Sequence, residues 1–217
     1  MRDWFSPRTI AAVIAGLLVI RLAMVGWRTE SRARRQVTEL VDSALLALGL
    51  MFVVIRPLVA QSFYIPSGSM EPTLRSRDWV LTNRFVYRIN PPRRGDVVVF
   101  RAPDQALADE AMAISGALEH NTRTTDYIKR VIGLPGDWVE VKRGRGVYIN
   151  GHLLCETYEL PKYEHPPTRV PEGQLFVLGD NRNNSRDSHR WGMLDADRLV
   201  GKAMVIFWPP THLGWLD

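Results

Sequence analysis

A serine on a rigid, kinked segment and a lysine inside an apolar run are the residues of this chain best suited to chemistry. The serine stands in Ser62-Phe63-Tyr64-Ile65-Pro66-Ser67-Gly68-Ser69-Met70-Glu71-Pro72-Thr73-Leu74. Pro66 and Pro72 fix backbone angles and remove amide donors, so this stretch cannot run as an ordinary helix or central strand. Gly68 permits close approach with no side chain in the way. A hydroxyl held on such a kink, just after a hydrophobic segment, suits a nucleophile for a membrane-delivered substrate. The plain alternative is a Ser/Pro/Gly linker. The interleaved Phe63, Tyr64, Ile65, Met70 and Leu74 make the stretch too apolar for a solvated one.

An attacking serine needs a base, and none of the five histidines stands in a recognisable nucleophile–base context. Lys129 does, within Asp126-Tyr127-Ile128-Lys129-Arg130-Val131-Ile132-Gly133-Leu134-Pro135-Gly136-Asp137, an apolar β-like run closing on a Pro-Gly turn. With a reference pKa of ~10.4, a lysine is useless as a base until something removes its proton. Burial disfavours the ammonium and can lower that value by as much as about 3–5 units. A shift of about 2 units needs only roughly 2.7 kcal/mol, within reach of an apolar strand. The competing reading is an edge-strand lysine with its head in water.

The elements that must position these groups read mostly as strands. Trp79–Thr82, Asp96–Phe100, Leu175–Leu178 and Ala203–Phe207 are short apolar or β-branched runs bounded by turn residues. Val139–Val141 and Val147–Ile149 flank Lys142–Gly146 as a hairpin, and Asn150-Gly151 turns the chain tightly into His152–Leu154. Gln105–His120 is the one helical pattern, with Leu107, Ala111, Ile114 and Leu118 on one face. Glu159–Gly173, carrying Pro161, Pro166, Pro167 and Pro171, reads as an irregular loop or extended arm. The expected fold is mainly β: antiparallel sheets forming an open, partly barrel-like catalytic domain after one or two transmembrane helices.

Four blocks in order resemble the bacterial type I signal peptidases, membrane-bound Ser/Lys proteases that remove signal peptides from exported proteins. They are Ser67–Met70 with Pro72-Thr73-Leu74, Arg94–Phe100, Tyr127–Asp137 and Gly179–Gly192. The resemblance spans nearly the whole chain from about residue 40. It implies Ser69 as nucleophile and Lys129 as general base. It also implies an oxyanion hole from the Ser67 hydroxyl and the Ser69 amide, with such donors worth about 3–4 kcal/mol each. Ser185 is implied to hydrogen-bond and orient the lysine, and Asp187 to brace the site. Asn181, Asn183 and Asn184 read as turn residues satisfying backbone groups. The family has an arginine two residues after the bracing aspartate; here His189 stands there, with Arg190 beside it. Histidine titrates near neutrality and arginine does not, so either the brace becomes pH-dependent or Arg190 takes it over. Shallow pockets selecting a small-x-small (Ala-x-Ala) motif are implied, walled by Phe63, Ile65, Pro66, Met70, Leu74, Tyr127 and Ile128; core packing is the alternative for the same residues. The substrate would add as a strand.

Composition fits a small membrane enzyme with preprotein signal peptides, the lipid bilayer and the export machinery as partners. Cys155 is the only cysteine, so there is no internal disulfide. No His, Cys and carboxylate cluster has metal-ligand spacing, and no cofactor is expected. The net charge of +5 owes much to Arg28, Arg32, Arg34 and Arg35, too local for a nucleic-acid face. Those arginines separate two apolar runs, Ile10–Trp27 (broken by Arg21) and Leu40–Ala60 (broken by Asp42 and Arg56), each close to the ~20 residues a span needs. Residues 1–61 are therefore expected as a membrane anchor, with spans at about 10–27 and 40–60 and an Arg-rich loop over 28–39. Residues 62–217 are expected as the catalytic β domain. Positive residues favour the cytoplasmic side, which puts that domain on the extracytoplasmic face of a bacterial inner membrane. A cleaved signal peptide at the N-terminus is disfavoured, because no clean small-x-small site follows Ala11–Ile20. Phe207, Trp208, Leu213, Trp215 and Leu216 read as a patch that either meets the bilayer or closes the β core. Two other classes carry weight: a self-cleaving repressor-like Ser/Lys protease, and a catalytically inactive membrane-anchored binding module. The paired spans and the absence of a DNA-binding head argue against the first, and retention of Ser69, Lys129, Ser185 and Asp187 against the second.

Overall fold

The computed structural model describes residues 15, 16, 19, 21, 32–50, 60–107 and 126–216. The chain divides into two compact units, Met1–Val59 and Ala60–Asp217. In the first, α1 runs over Arg32–Gly49. Nothing between these residues breaks a helix, and Ala, Leu, Arg, Gln and Glu all favour one. The expected loop over 28–39 is therefore corrected: residues 32–39 are the opening turns of this helix. Arg21 Nε donates to Asp42 Oδ1 at 2.7 Å. Among the described residues no helix is long and apolar enough to cross a membrane. Most of Ile10–Trp27, and the 51–59 part of the second run, lie outside the described residues.

The second unit is built from two antiparallel sheets. The larger contains β1 (Ala60–Tyr64), β2 (Trp79–Asn83), β3 (Val97–Arg101), β4 (Asp126–Gly133), β9 (Gln174–Leu178), β10 (Leu194–Asp195), β11 (Leu199–Trp208) and β12 (Gly214–Trp215). Its order is β1-β2-β11-β3-β4-β9-β10, with β12 on β11. The smaller has the order β7-β6-β5-β8, from β5 (Trp138–Lys142), β6 (Gly146–Ile149), β7 (His152–Leu153) and β8 (His165–Arg169). Neither sheet closes, so the domain is open and forms no closed barrel.

Side-chain alternation explains how these strands share their cores. On β3, Val97 packs into one cluster with Ile65, Met70, Leu74, Val80 and Ile206. Val98 and Phe100 pack into another, with Val131, Val177 and Trp191. With both faces covered, β3 reads as a continuous apolar run rather than an alternating one. A third cluster, around Val139, Val141, Val147 and Phe176, joins the smaller sheet to β9.

The Asn150-Gly151 turn behaves as its sequence demands. Both residues have positive φ (51° and 82°), and Ile149 pairs with His152 across it. The arm read as irregular is corrected in part, because β8 lies within it and pairs with β5. Pro166 and Pro167 are tolerated there because β8 is an edge strand and both fall at the irregular step of its register with β5, between the Thr168–Val139 and His165–Val141 pairs. Of the helix expected over Gln105–His120, the described part is helical over 104–107, and the remainder lies outside the described residues. Leu216 is buried in the first cluster and helps close the β core, whereas Phe207, Trp208, Leu213 and Trp215 are exposed.

Candidate active site

Ser69 sits on a tight turn pinned from inside. Met70 and Leu74 are fully buried, and the Leu74 amide donates to the Met70 carbonyl at 2.9 Å. The Glu71 amide closes on the Gly68 carbonyl at 3.2 Å. From outside, Asn181 holds the same turn: its backbone amide donates to the Ser69 carbonyl at 3.2 Å, and its Nδ2 to the Gly68 carbonyl at 3.0 Å. Read from sequence, Asn181 was only a turn residue; its grip on the serine's peptide is a contact between segments far apart in the chain.

Lys129 lies mid-way along β4, and strand pairing sets it opposite Val98 of β3. The residue is 5 % exposed, and its ammonium donates to Ser69 Oγ and to the Ile128 carbonyl, both at 2.9 Å. Burial lowers its pKa from 10.5 to about 8, against the opposing pull of the Asp187 and Asp180 carboxylates. The Tyr127 ring, on the same side of the strand by alternation, lies 5.9 Å from Nζ. Ser67 Oγ reaches Ser69 Oγ at 3.5 Å from an exposed position.

The loop after β9 supplies the rest. Asp187 is fully buried and accepts from the Gly179 amide at 2.9 Å. It also caps α2 (Ser188–Trp191) through the His189 amide at 3.3 Å. His189 Nδ1 meets Asp187 Oδ1 at 2.6 Å, and the imidazole stacks on Tyr163 with centroids 4.0 Å apart. Arg190 points to solvent and touches Asp187 only through the main chain. The imidazole, not the neighbouring guanidinium, thus faces the carboxylate. His165 stands nearby; burial, then the charge of His189, lowers its pKa, and Asp187 opposes them.

One expectation is corrected. Ser185 was to hydrogen-bond the lysine, but its buried Oγ has no hydrogen-bond partner among the described residues. Both hydrogen bonds of Nζ go elsewhere. Ser185 instead packs on Gly179, where a Cβ would stand 2.2 Å from its Oγ and 2.4 Å from the Ser69 carbonyl oxygen. Gly179 is thus the point where β9 meets the serine turn, and only a residue without a side chain fits there.

The apolar residues expected as pocket walls fall into groups. Ile65, Met70 and Leu74 are core, with Phe63 and Ile128 half-buried against the same cluster. Tyr127 packs against the second cluster, beside Phe100, and Pro66 is exposed. Beneath the site lie buried ion pairs that no motif reading singled out. Arg130 grips Asp180 through Nε and a terminal nitrogen, both at 2.8 Å, and Arg182 pairs with Glu156. Arg130 and Asp180 adjoin Lys129 and Gly179 within the motif blocks, which could have drawn notice to them; Glu156 carries no local signal.

Comparison with known proteins bears directly on this constellation. The family model described as signal peptidase, peptidase S26, matches residues 37–208. The chain belongs to that family. Family membership makes it a serine endopeptidase. It is 46% identical over 176 residues to signal peptidase I of Leptolyngbya laminosa, covering 80% of this chain and 79% of that one. It is 44% identical over 179 residues to a Synechocystis protein named probable signal peptidase I-2, covering 82% and 74% respectively. Thylakoidal processing peptidase 1 of Arabidopsis thaliana is 38% identical over 164 residues, covering 74% of this chain and 46% of that protein.

Proposed function

We propose that this chain is a membrane-anchored endopeptidase that removes N-terminal signal peptides from exported preproteins with a Ser69/Lys129 dyad. The observation that carries the reading is the 2.9 Å contact between Ser69 Oγ and a buried lysine whose pKa is lowered to about 8. A neutral Nζ at that distance can take the serine proton as Oγ attacks the scissile carbonyl. Negative charge then develops on the carbonyl oxygen, where the Ser69 amide and the Ser67 hydroxyl receive it. The protonated lysine next gives its proton to the departing amine. Once neutral again, it draws a proton from the water that hydrolyses the acyl-enzyme, and Ser69 is restored.

Phe63 and Ile128, half-buried beside the serine turn, would limit the substrate to small side chains and so favour an Ala-x-Ala sequence, with Ile65, Met70 and Leu74 backing them from the core. The membrane anchor, expected over residues 1–61, is drawn as 1–59 because Ala60 and Gln61 pair with β2, and the domain from residue 60 onward works on the extracytoplasmic side of the inner membrane. Exposed Trp79, Phe207, Trp208, Leu213 and Trp215 suit a bilayer interface there. The deciding experiment is cleavage of a preprotein bearing an Ala-x-Ala site by purified wild type, Ser69→Ala and Lys129→Ala. Either variant should abolish cleavage, and removing both should cost little more, since the two act as a unit. A Lys129→Ala protein with wild-type rates would overturn the dyad.

A further inference from the structure

Glu156 lies in the segment between β7 and β8, outside the four motif blocks, yet it is tied to the serine by a short chain of contacts. Its carboxylate receives both terminal nitrogens of Arg182, one at 2.7 Å, in a two-pronged ion pair. Arg182 is 1 % exposed, so this pair is the counter-charge of a guanidinium shut away from water. The remaining Arg182 donor, Nε, goes to the Gly179 carbonyl at 3.0 Å. Gly179 in turn seats the Ser69 peptide and Ser185. Two residues on from Glu156, the Tyr158 ring faces the Arg182 guanidinium at 5.0 Å and that of Arg130 at 5.8 Å. A ring presented to two guanidiniums is attracted to both and keeps each from swinging away. Arg130 holds Asp180, the residue after Gly179, and follows Lys129 in the chain. Nucleophile and base are therefore both referenced to one clamp.

We infer that Glu156 and Tyr158 are positioning residues for the reaction, holding buried Arg182 on the Gly179 carbonyl so that the floor under Ser69 keeps its place relative to Lys129. The inference rests on the Ser69/Lys129 reading above. Neither residue touches the reacting atoms. Their loss should therefore slow the chemical step and leave substrate affinity alone, because small misplacements of reacting groups are costly in rate.

The test uses the full chain in detergent micelles, with kcat and KM measured on a preprotein. The folded fraction, from circular dichroism at the assay temperature, normalises each rate. Glu156→Gln keeps the shape and removes the charge; kcat per folded molecule should fall at least about tenfold with KM within about twofold. Tyr158→Leu should behave likewise, and Tyr158→Phe, which keeps the ring but loses the hydroxyl's hydrogen bonds to Asp180 and Thr73, should retain more activity than Tyr158→Leu. The inference is overturned if both Glu156→Gln and Tyr158→Leu hold kcat per folded molecule within about twofold of wild type, since the pair is then only structural. It is equally overturned if the loss falls on KM. Ser69→Ala, run alongside, separates the two failures. A dead Ser69→Ala with active clamp variants refutes the clamp alone, and an active Ser69→Ala refutes the dyad and the clamp with it.

Discussion

At the scale of single residues, Lys129 as the proposed base should set the working pH. With its pKa lowered to about 8, the fraction able to act as base rises about tenfold per pH unit below that value and levels off above it. The kcat/KM profile should show that limb, and a rate flat from pH 6 to 9 would remove Lys129 as the base. The same burial has a stability cost whose sign follows from linkage. Folding lowers the lysine's pKa, so the unfolded chain holds more protons between about 8 and 10.5. Stability contributed at this site therefore rises with pH across that window. Below about 8 the buried ammonium costs on the order of 3 kcal/mol. Lys129→Met should abolish cleavage and raise the melting temperature at pH 6 to 7; an unchanged or lower value would mean the ammonium is not destabilising where it sits. His189 faces Asp187 Oδ1 at 2.6 Å through Nδ1. An arginine carries a permanent charge, and a histidine does not. His189→Arg keeps the charge and should hold more activity on the alkaline side. Superimposable pH–rate curves would show that the charge of the imidazole is not what holds Asp187.

At the scale of elements, the site is made where the end of β9 and the loop after it meet the turn after β1. That meeting depends on close backbone approach at Gly179, where any side chain would run into the Ser69 carbonyl oxygen. Gly179→Ala should cost about 1–3 kcal/mol by overpacking. It should also lower kcat about 10²-fold by displacing the serine. Full activity in a stable Gly179→Ala protein would mean that the loop and the serine turn separate freely. The edge position of β8 illustrates the same dependence on neighbours. Its prolines argue against a strand in isolation, yet the sheet accepts them because one side of the strand pairs with nothing and the register with β5 is irregular where they stand.

For the whole molecule, the proposed membrane topology has its own test. The arginines between the two apolar runs orient the proposed topology with residues from 60 onward outside the cytoplasm. A reporter active only outside should work when fused after Asp217 and stay silent when fused at Arg34. The reverse pattern would overturn the assignment of the inner-membrane face. That Arg34 belongs to a helix rather than a loop does not alter this expectation, since the charge bias acts through proximity to the membrane and not through loop conformation.

The sequence by itself determined most of the strands and singled out the candidates for the chemistry. Ser69 and Lys129 stand in segments whose local properties, two prolines around a glycine and an apolar β run before a Pro-Gly turn, marked them as candidates, and the family resemblance implied their roles in the proposed dyad. Runs such as Val97–Arg101 and the Asn150-Gly151 turn are equally local, because alternation and backbone preference act over a few residues. Tertiary structure alone decided which partners these residues meet. The sequence left His189 and Arg190 level as partners of Asp187; the short α2 helix and the Tyr163 stack turn the imidazole inward and the guanidinium out. Ser185 matched a motif but lies on Gly179 rather than on the lysine, and Glu156 matched nothing yet neutralises a buried arginine. Residue type limits what a side chain can do, but packing between segments far apart in the chain sets the desolvation, charge pairing and distance that decide what it does.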